Sequence, residues 1–287
     1  MKLKKLFSKK SRKNNKPKQV QVGDFSLTAV GDHPVQNNLH HHKYYSRNLP
    51  RLAKYIETKY PVYGIIDVGA NIGDTAALIR SANVNQTIYA IEGEPTYFKL
   101  LQKNAVLFKD LTIYETFLGE NTGAVTIATE VTDGTARLNT ESKREITIKK
   151  LDDLAVEAGF KNVKLLKVDT DGYDLKILRG AFSFIAENKP VIFFEYDAVY
   201  LEEQAEHGTD IFEQLRTRGY NKLIYYDNYG KLLLSAATDN KALIEQLYGY
   251  MRKKEGAFPY YDVCAFHRDD DALAEECISK EMAFFHN

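Results

Sequence analysis

Short apolar runs that alternate with segments of helical periodicity constrain the fold of this chain more than any other feature. Runs with the length and β-branched content of buried strands occupy residues 64–68, 87–91, 111–117, 164–168 and 191–195. Helical patterns lie between them, over residues 75–81, 97–108, 151–158 and 175–186. Strands regularly separated by helices predict an α/β fold with a mostly parallel sheet and helices on both faces.

Further strands are predicted on either side of this alternation. Residues 221–226 and 231–235 flank an Asp-Asn-Tyr-Gly turn and predict a hairpin, and residues 261–267 predict a late strand that enters the sheet antiparallel near its edge. Residues 124–129 and 146–149 read as a second hairpin, which we expect beside the main sheet. We expect seven strands in the main sheet, with a ligand at their carboxyl ends.

The composition allows one sizeable core. A chain of 287 residues with 44% hydrophobic residues can form one domain with appendages. We divide it into a basic tail at residues 1–21 that we expect to be disordered, an N-terminal helical preamble at residues 22–61, and a main domain at residues 62–287. Lys+Arg and Asp+Glu are both 39, and this balance predicts no nucleic-acid partner.

Residues 1–18 are dense in Lys and Arg and contain no acid. A solvated, disordered segment has this composition, and so does a weak anchor on an anionic membrane into which Leu3, Leu6 and Phe7 insert. No apolar run has the length of a transmembrane helix or the position of a secretory signal. With only Cys264 and Cys277, no disulfide framework is expected. We therefore expect a cytoplasmic protein, at the inner face of the membrane if the tail binds lipid.

A glycine-rich turn follows the first predicted strand. The run Asp67-Val68-Gly69-Ala70-Asn71-Ile72-Gly73-Asp74-Thr75 carries small residues that let a ligand approach the backbone at a helix N-terminus. The same run also suits a plain strand-to-helix turn capped by Asp74 or Thr75. The second strand leads to Glu92, which would lie beside this turn and accept hydrogen bonds from ribose hydroxyls. A solvated loop carboxylate is the alternative for Glu92.

Two positions indicate which ligand the turn binds. A dinucleotide-binding turn has the pattern G-x-G-x-x-G, whose middle glycine admits a pyrophosphate. This chain has Asn71 at the middle glycine and Asp74 at the last one, and an acid at a helix start repels phosphate. S-adenosylmethionine has no phosphate and carries positive sulfonium and amino groups. It therefore suits these residues better than NAD does.

More acids follow predicted strands at the same edge. Asp169 and Asp171 leave the strand at residues 164–168 together, where they could hold an amino group, deprotonate a hydroxyl or bind a cation. Capping of the next helix by Asp171 and Asp174 is the structural alternative. Glu195 ends the next strand, where it could orient an acceptor, act as a base or lie on the surface.

No metal site is expected. Consecutive His40, His41 and His42 would point in different directions from a helix and have no acid or Cys nearby, which favours a solvated surface or the lip of a substrate site. The acids after residue 168 lack the remaining ligands and the terminal Glu of an EF-hand loop.

Four runs resemble the FkbM family of methyltransferases in their sequence, order and spacing. They are IIDVGANIGDTA at residues 65–76, IYAIEGEP at 88–95, LLKVDTDGYDLKILRGA at 165–181 and VIFFEYD at 191–197. The D-x-D-G block followed by R-G-A is the most family-specific part. The resemblance implies a Rossmann-like class I methyltransferase fold, S-adenosylmethionine as the cofactor, and O-methylation of sugars, glycans or natural products.

The resemblance also implies roles for individual residues, with Asp169 near the transferred methyl group. The candidates for cofactor binding are Asp67, Gly69, Ala70, Asn71, Gly73, Thr75, Glu92, Asp169 and Asp171. We expect Asp169 to be the base that activates an acceptor hydroxyl, with Glu195 as the second choice, and a sugar or glycan as the partner. Two other functions stay open at this point. One is an NAD-dependent oxidoreductase, and the other is a non-catalytic binding module with a relic cofactor site.

Overall fold

The computed structural model describes residues 16–31, 33–132, 135–252 and 259–286, so most of the basic tail lies outside the described residues. The strands, in chain order, are β1 (Lys18–Val22), β2 (Phe25–Ala29), β3 (Gly64–Val68), β4 (Thr87–Glu92), β5 (Leu111–Glu115), β6 (Phe117–Leu118), β7 (Gly123–Thr132), β8 (Thr135–Lys149), β9 (Val163–Val168), β10 (Val191–Tyr196), β11 (Tyr220–Asp227), β12 (Leu232–Ala237) and β13 (Tyr261–His267).

The helices, in chain order, are α1 (Val35–His41), α2 (Asn48–Ile56), α3 (Asp74–Ser81), α4 (Pro95–Ala105), α5 (Leu151–Ala158), α6 (Asp174–Arg179), α7 (Phe182–Asn188), α8 (Ala198–Glu203), α9 (Asp210–Thr217), α10 (Lys241–Met251) and α11 (Asp271–His286). A 3₁₀ turn at Arg268–Asp270 leads from β13 into α11. Among the residues described, none of these helices has the length and apolar character needed to cross a bilayer.

The main sheet of the described residues has eight strands in the order β12-β11-β13-β10-β9-β3-β4-β5. Neighbours from β10 to β5 are parallel, whereas β13, β11 and β12 add antiparallel pairs. The α/β, Rossmann-like class and the mostly parallel sheet are therefore confirmed. The sheet exceeds the predicted seven strands because β12, the second arm of the β11–β12 hairpin, stays paired with β11 and extends the edge.

Two smaller sheets flank the main one. β6, β8 and β7 form a three-stranded sheet, which is the predicted second hairpin, and β1 pairs with β2. The predicted late strand, β13, does not lie next to the edge. It pairs antiparallel with both β10 and β11 and so lies two strands inside it.

Helices cover both faces of the main sheet. Neighbouring Ile65 and Ile66 on β3 are both fully buried, but they belong to two different apolar clusters because successive strand side chains point to opposite faces. One cluster joins β3 to α2, α3, α4 and α11, and the other joins it to α5 through α10. Both faces of the sheet are therefore covered, and the strand ends remain as the place for a ligand.

The topological switch of the sheet lies between β3 and β9. From β3 the chain moves outward through β4 and β5, then returns to the other side of β3 as β9. Helices that leave adjacent strands in opposite directions open a crevice at the carboxyl ends of those strands. The sheet order therefore places the site at the ends of β3 and β9.

The segment predicted as a helical preamble begins with a β-hairpin. β1 and β2 pair across a two-residue turn at Gly23 and Asp24, and β1 starts at Lys18, inside the span predicted as tail. Val20 and Leu27 point into the same cluster as Ile65. Apolar residues alternate with polar ones in this segment, as in a strand with one buried face. Pairing of β1 with β2 buries Val20 and Leu27 together, and this favours the hairpin over a helix.

Candidate active site

Five neighbouring strands, β4, β3, β9, β10 and β13, each place one residue at the same level near the carboxyl edge of the sheet. Gly69 and Asp169 follow the paired ends of β3 and β9, and Glu195 occupies the next position on β10. Glu195 pairs with Asp262 on β13, while Glu92 ends β4 on the other side. A row of carboxyl groups therefore crosses the carboxyl edge of the sheet, interrupted by one glycine.

A cleft of about 360 Å³ opens above this row. The predicted site residues that line it are Gly69, Asn71, Thr75, Glu92, Asp169, Asp171 and Glu195. Asp67, Ala70 and Gly73 do not line it, and Asp67 and Ala70 are fully buried behind its wall. The structure thus brings most of the predicted residues together and separates three from any ligand surface.

The glycines of the turn are required by the packing of the chain on itself. Gly69 has φ +77°, and a Cβ there would lie 1.9 Å from the carbonyl oxygen of Asp169. Gly73 has φ +88° and is the N-cap of α3. The β3–α3 turn and the β9–α6 loop therefore meet backbone to backbone, which only a residue without a side chain permits.

Glu92 holds the glycine-rich turn in place. Its carboxyl oxygens accept hydrogen bonds from the backbone N–H groups of Asn71, at 2.8 Å, and Glu94, at 2.7 Å. Burial raises the pKa of Glu92 to about 7. Because each carboxyl oxygen has two lone pairs, Glu92 can still accept a ligand hydroxyl from the cleft.

Lys167 is a site residue that the sequence analysis missed. Its Nζ lies 2.9 Å from Oδ1 of Asp67, 3.1 Å from the carbonyl oxygen of Gly69 and 3.5 Å from Oδ2 of Asp169. Burial disfavours the ammonium, but the carboxylates of Asp67 and Asp169 outweigh it and raise the pKa of Lys167. Asp67 therefore anchors Lys167 instead of facing the cleft. A lysine inside the buried run KLLKV is the signal that identifies it, since a buried charge needs a partner.

Asp174 shapes the β9–α6 loop. It is almost fully buried, and its carboxyl group accepts hydrogen bonds from the backbone N–H groups of Thr170, at 3.1 Å, and Gly172, at 3.0 Å. Burial raises the pKa of Asp174 to about 8. Asp174 thus folds back on the loop, while Asp171, with φ 52°, and half-exposed Asp169 line the cleft.

Glu195 lines the cleft, and together with Asp262, its pair on β13, it also lines a smaller neighbouring cavity. Glu195 is 7% exposed, and its Oε2 has no hydrogen-bond partner among the described residues. Burial, reinforced by the charge of Asp169, raises the pKa of Glu195 well above its usual range. Asp262 accepts a 2.8 Å hydrogen bond from Nδ2 of Asn48, and burial raises its pKa to about 8. Asp262 was missed, although an acid inside the apolar run of residues 261–267 marks it.

The preamble closes one side of the cleft. Nδ1 of His33 accepts a hydrogen bond from the backbone N–H of Val35, so Nε2 carries the proton and donates to Oδ1 of Asn71 at 3.1 Å. Tyr45, from the α1–α2 connection, lines the same cleft. His40, His41 and His42 do not line it, and His42 stacks on Tyr229 instead.

The charged groups of the cleft fit a phosphate-free, positively charged cofactor. The acids lining it are Asp74, Glu92, Asp169, Asp171, Glu195 and Asp197. Among the described lining residues, the basic ones are His33 and Lys167, and Lys167 is already paired. A pyrophosphate would find no free cation here, whereas sulfonium, amino and ribose hydroxyl groups would find carboxyl oxygens.

Residues 67–222, more than half of the chain, match the Methyltransferase FkbM domain. The chain belongs to the FkbM methyltransferase family. Membership of this family implies S-adenosylmethionine as the cofactor, in agreement with the charge of the cleft. The FkbM match includes the glycine-rich turn, Glu92, Asp169 and Glu195, but it ends before β12 and β13 and starts after the preamble. His33 and Tyr45 therefore line the cleft from outside the FkbM region.

Solved structures to which the chain is similar include three methyltransferases. A methyltransferase FkbM from Methylobacillus flagellatus KT is 21% identical, with 56% of this chain and 39% of that chain covered and a TM-score of 0.39. Precorrin-6y C5,15-methyltransferase from Geobacter metallireducens GS-15 is 14% identical, with 71% and 80% covered and a TM-score of 0.38. Pyrococcus abyssi tRNA (uracil-54, C5)-methyltransferase is 10% identical, with 87% and 43% covered and a TM-score of 0.39. No curated protein sequence matches the chain.

Proposed function

We propose that this protein is an S-adenosylmethionine-dependent O-methyltransferase that acts on a hydroxyl group of a sugar, glycan or natural product. The observation that carries the proposal is the pair of carboxyl groups, Asp169 and Glu195, which are neighbours at the ends of β9 and β10 and line the same cleft as the glycine-rich turn. Two carboxyl groups in different environments suit a reaction in which an acceptor hydroxyl loses a proton.

The cofactor end of the cleft is assigned to the turn and the end of β4. S-adenosylmethionine supplies a methyl group that its positive sulfonium makes electrophilic. Glu92 accepts hydrogen bonds from the ribose hydroxyls, and it holds the turn through Asn71 at the same time. Asp171 and Asp169 face the positive methionine end, and Thr75 lines the cleft at the start of α3. The remaining predicted residues, Asp67, Ala70 and Gly73, support the turn from behind.

The two acceptor-side carboxyl groups have different roles in this proposal. Asp169 is half exposed, and its Oδ2 lies 3.5 Å from Nζ of Lys167. It is the base that takes the proton of the acceptor hydroxyl. Burial raises the pKa of Glu195 well above its usual range, which favours the carboxylic acid form, and that form can donate a hydrogen bond. Glu195 therefore orients the acceptor oxygen toward the methyl group.

Isothermal titration with S-adenosylhomocysteine tests the cofactor class. We expect the wild-type protein to bind in the micromolar range, on the order of −8 kcal/mol, and Glu92→Gln to bind at least about tenfold more weakly. Glu115→Gln is the matched control, since Glu115 pairs with Glu92 on β5 but is exposed. If the protein binds NAD and does not bind S-adenosylhomocysteine, the NAD-dependent oxidoreductase is supported. Binding of neither ligand would support the non-catalytic module.

Transfer of a labelled methyl group to a library of glycosides and natural products tests the base. Asp169→Asn should bind S-adenosylhomocysteine normally and lose turnover by about 10²- to 10⁴-fold, the usual contribution of general base catalysis. Full turnover in this variant would show that Asp169 is not the base.

The reaction is assigned to the cytoplasm, at the inner face of the membrane. This proposal is supported by the basic residues at 1–18 and the apolar Leu3, Leu6 and Phe7 among them. Sedimentation with vesicles of phosphatidylcholine and phosphatidylserine should pellet the full chain and leave a chain without residues 1–15 in solution. Equal pelleting of the two would contradict membrane binding by the tail.

A further inference from the structure

Among the described residues, the acceptor end of the cleft offers no unpaired cation to an anionic group. The basic side chains among the described lining residues are His33 and Lys167. The ammonium of Lys167 is already held by Asp67 and Asp169, and His33 binds Asn71 at the cofactor end. A phosphate or carboxylate on the acceptor would therefore lose its hydration without gaining a counter-ion, and it would face the carboxyl groups of Asp169 and Glu195.

Two tyrosines stand beside the reacting carboxyl groups. Tyr45, from the preamble, and Tyr260, which precedes β13, line the cleft and influence each other electrostatically. Both also lie close enough to Asp169 and Glu195 for the charges of these acids to raise the tyrosine pKa values, adding to the larger effect of burial. Aromatic rings with polar tips are the side chains that pack against the C–H face of a sugar ring while its hydroxyls keep hydrogen bonds.

Glu195 places a buried polar atom at this end of the cleft. Oε2 of Glu195 is buried and has no hydrogen-bond partner in the described part of the chain. An unpaired polar atom at this depth costs free energy, and a hydroxyl group can both donate to it and accept from it. The cofactor carries positive sulfonium and amino groups, which balance part of the negative charge of the acids in the cleft. The acceptor therefore does not have to bring a positive charge of its own.

We infer that the acceptor is an uncharged glycoside, which packs on Tyr45 and Tyr260 with one hydroxyl at Glu195, and not a sugar phosphate, a nucleotide-activated sugar or a uronic acid. The inference rests on the proposed function and narrows its substrate class. A glycosyl-transfer reaction must then precede methylation, because a sugar carries its nucleotide diphosphate until it is transferred.

Saturation-transfer NMR on the full chain tests the charge preference. The neutral probes are the methyl glycosides of glucose, galactose, mannose and rhamnose. The charged probes are the anionic methyl glucuronide, glucose 6-phosphate and UDP-glucose. Each is measured with and without saturating S-adenosylhomocysteine. We expect at least one neutral glycoside to bind about tenfold more tightly than every charged probe. Equal or tighter binding of a charged probe, or no binding of any neutral one, would overturn the inference.

Variants of the rim test its location. Tyr260→Ala and Tyr45→Ala should each weaken the neutral glycoside at least about fivefold, whereas Tyr250→Ala, at an exposed tyrosine outside the cleft, should not. Unchanged binding in both rim variants would overturn the assignment. Each sample is also titrated with S-adenosylhomocysteine. If the wild-type protein does not bind S-adenosylhomocysteine, the proposed function is contradicted. The sugar measurements without cofactor test the charge preference independently of that result.

Discussion

Lys167 shows how a single buried charge organises the site. It is almost completely buried in the middle of the sheet, and its ammonium connects Asp67, the carbonyl of Gly69 and Asp169. These groups belong to β3, the glycine-rich turn and the loop after β9. One side chain therefore sets the distance between the cofactor turn and the proposed base, at the cost of desolvating an ion pair.

Removal of this cation should destabilise the protein. Lys167→Met leaves the carboxyl group of Asp67 buried without its partner, and breaking such a pair costs about 3–5 kcal/mol. Urea unfolding measures the effect, and the double variant Asp67→Leu with Lys167→Met should recover a large part of the loss. A single variant within about 1 kcal/mol of the wild type would show that the pair does not hold the site together.

Asp262 should make stability depend on pH. Burial raises its pKa from 3.8 to about 8, so between these values the folded state binds a proton that the unfolded state releases. The contribution of Asp262 to stability is therefore full below about pH 4 and falls as the pH rises toward 8. Relative to wild type, Asp262→Asn should gain at least about 1.4 kcal/mol between pH 5 and pH 8.5. Urea unfolding at both pH values measures this gain, and an equal difference at both would contradict it.

At the scale of elements, the site depends on the contact between two loops that leave adjacent parallel strands. The turn from β3 to α3 touches the loop from β9 to α6 without an intervening side chain. Glu92 fixes the first loop from β4, and Asp174 fixes the second from α6. The loops are thus preorganised by hydrogen bonds from their own neighbours, which lowers the entropy cost of ligand binding.

Gly69 and Gly159 both have positive φ but differ in their surroundings, so the same substitution at each distinguishes a steric clash from backbone strain. Gly69→Ala places a Cβ 1.9 Å from the carbonyl oxygen of Asp169, whereas Gly159→Ala, with φ +65°, meets nothing within 4 Å. The second change should cost only the left-handed conformation, about 1–2 kcal/mol. The first should cost more and abolish S-adenosylhomocysteine binding. Thermal unfolding and titration measure both, and equal destabilisation of the two variants would argue against the close loop contact.

For the whole molecule, the N-terminal segment belongs to the same core as the FkbM region. Val20, Leu27, Leu52 and Ile56 are buried in the cluster that contains β3 residues. Arg51 on α2 forms an ion pair with buried Glu281 on α11, which joins the N-terminal and C-terminal parts directly. The preamble is therefore part of the fold as well as a wall of the cleft.

A chain that starts at residue 62 should fail to fold cooperatively. It would expose the apolar surface that the β1–β2 hairpin and α2 cover and leave Glu281 without Arg51. A chain that starts at residue 16 should unfold with the wild-type midpoint. Near-ultraviolet circular dichroism and thermal unfolding measure this, and a cooperative transition in the shorter chain would show that the FkbM region folds without the preamble.

The parallel strands and the glycine-rich turn could be predicted because their signals are local. The runs at residues 64–68, 87–91 and 191–195 match β3, β4 and β10 within one residue at each end. The β1–β2 hairpin also has a local signal, alternation around Gly23, that outweighs the helical expectation. α10 and α11 were not predicted, although α11 runs for 16 residues.

The amino-acid sequence by itself determined the sheet class, the family and seven of the residues that line the cleft, because parallel strands bring their carboxyl ends to one edge wherever they occur in the chain. The tertiary structure alone decided that Asp67 binds Lys167 and not a ligand, that Asp262 faces Glu195, and that the preamble closes the cleft. These contacts join residues far apart in the chain, from 38 positions for His33 and Asn71 to 100 positions for Asp67 and Lys167. No local periodicity encodes which distant partners meet.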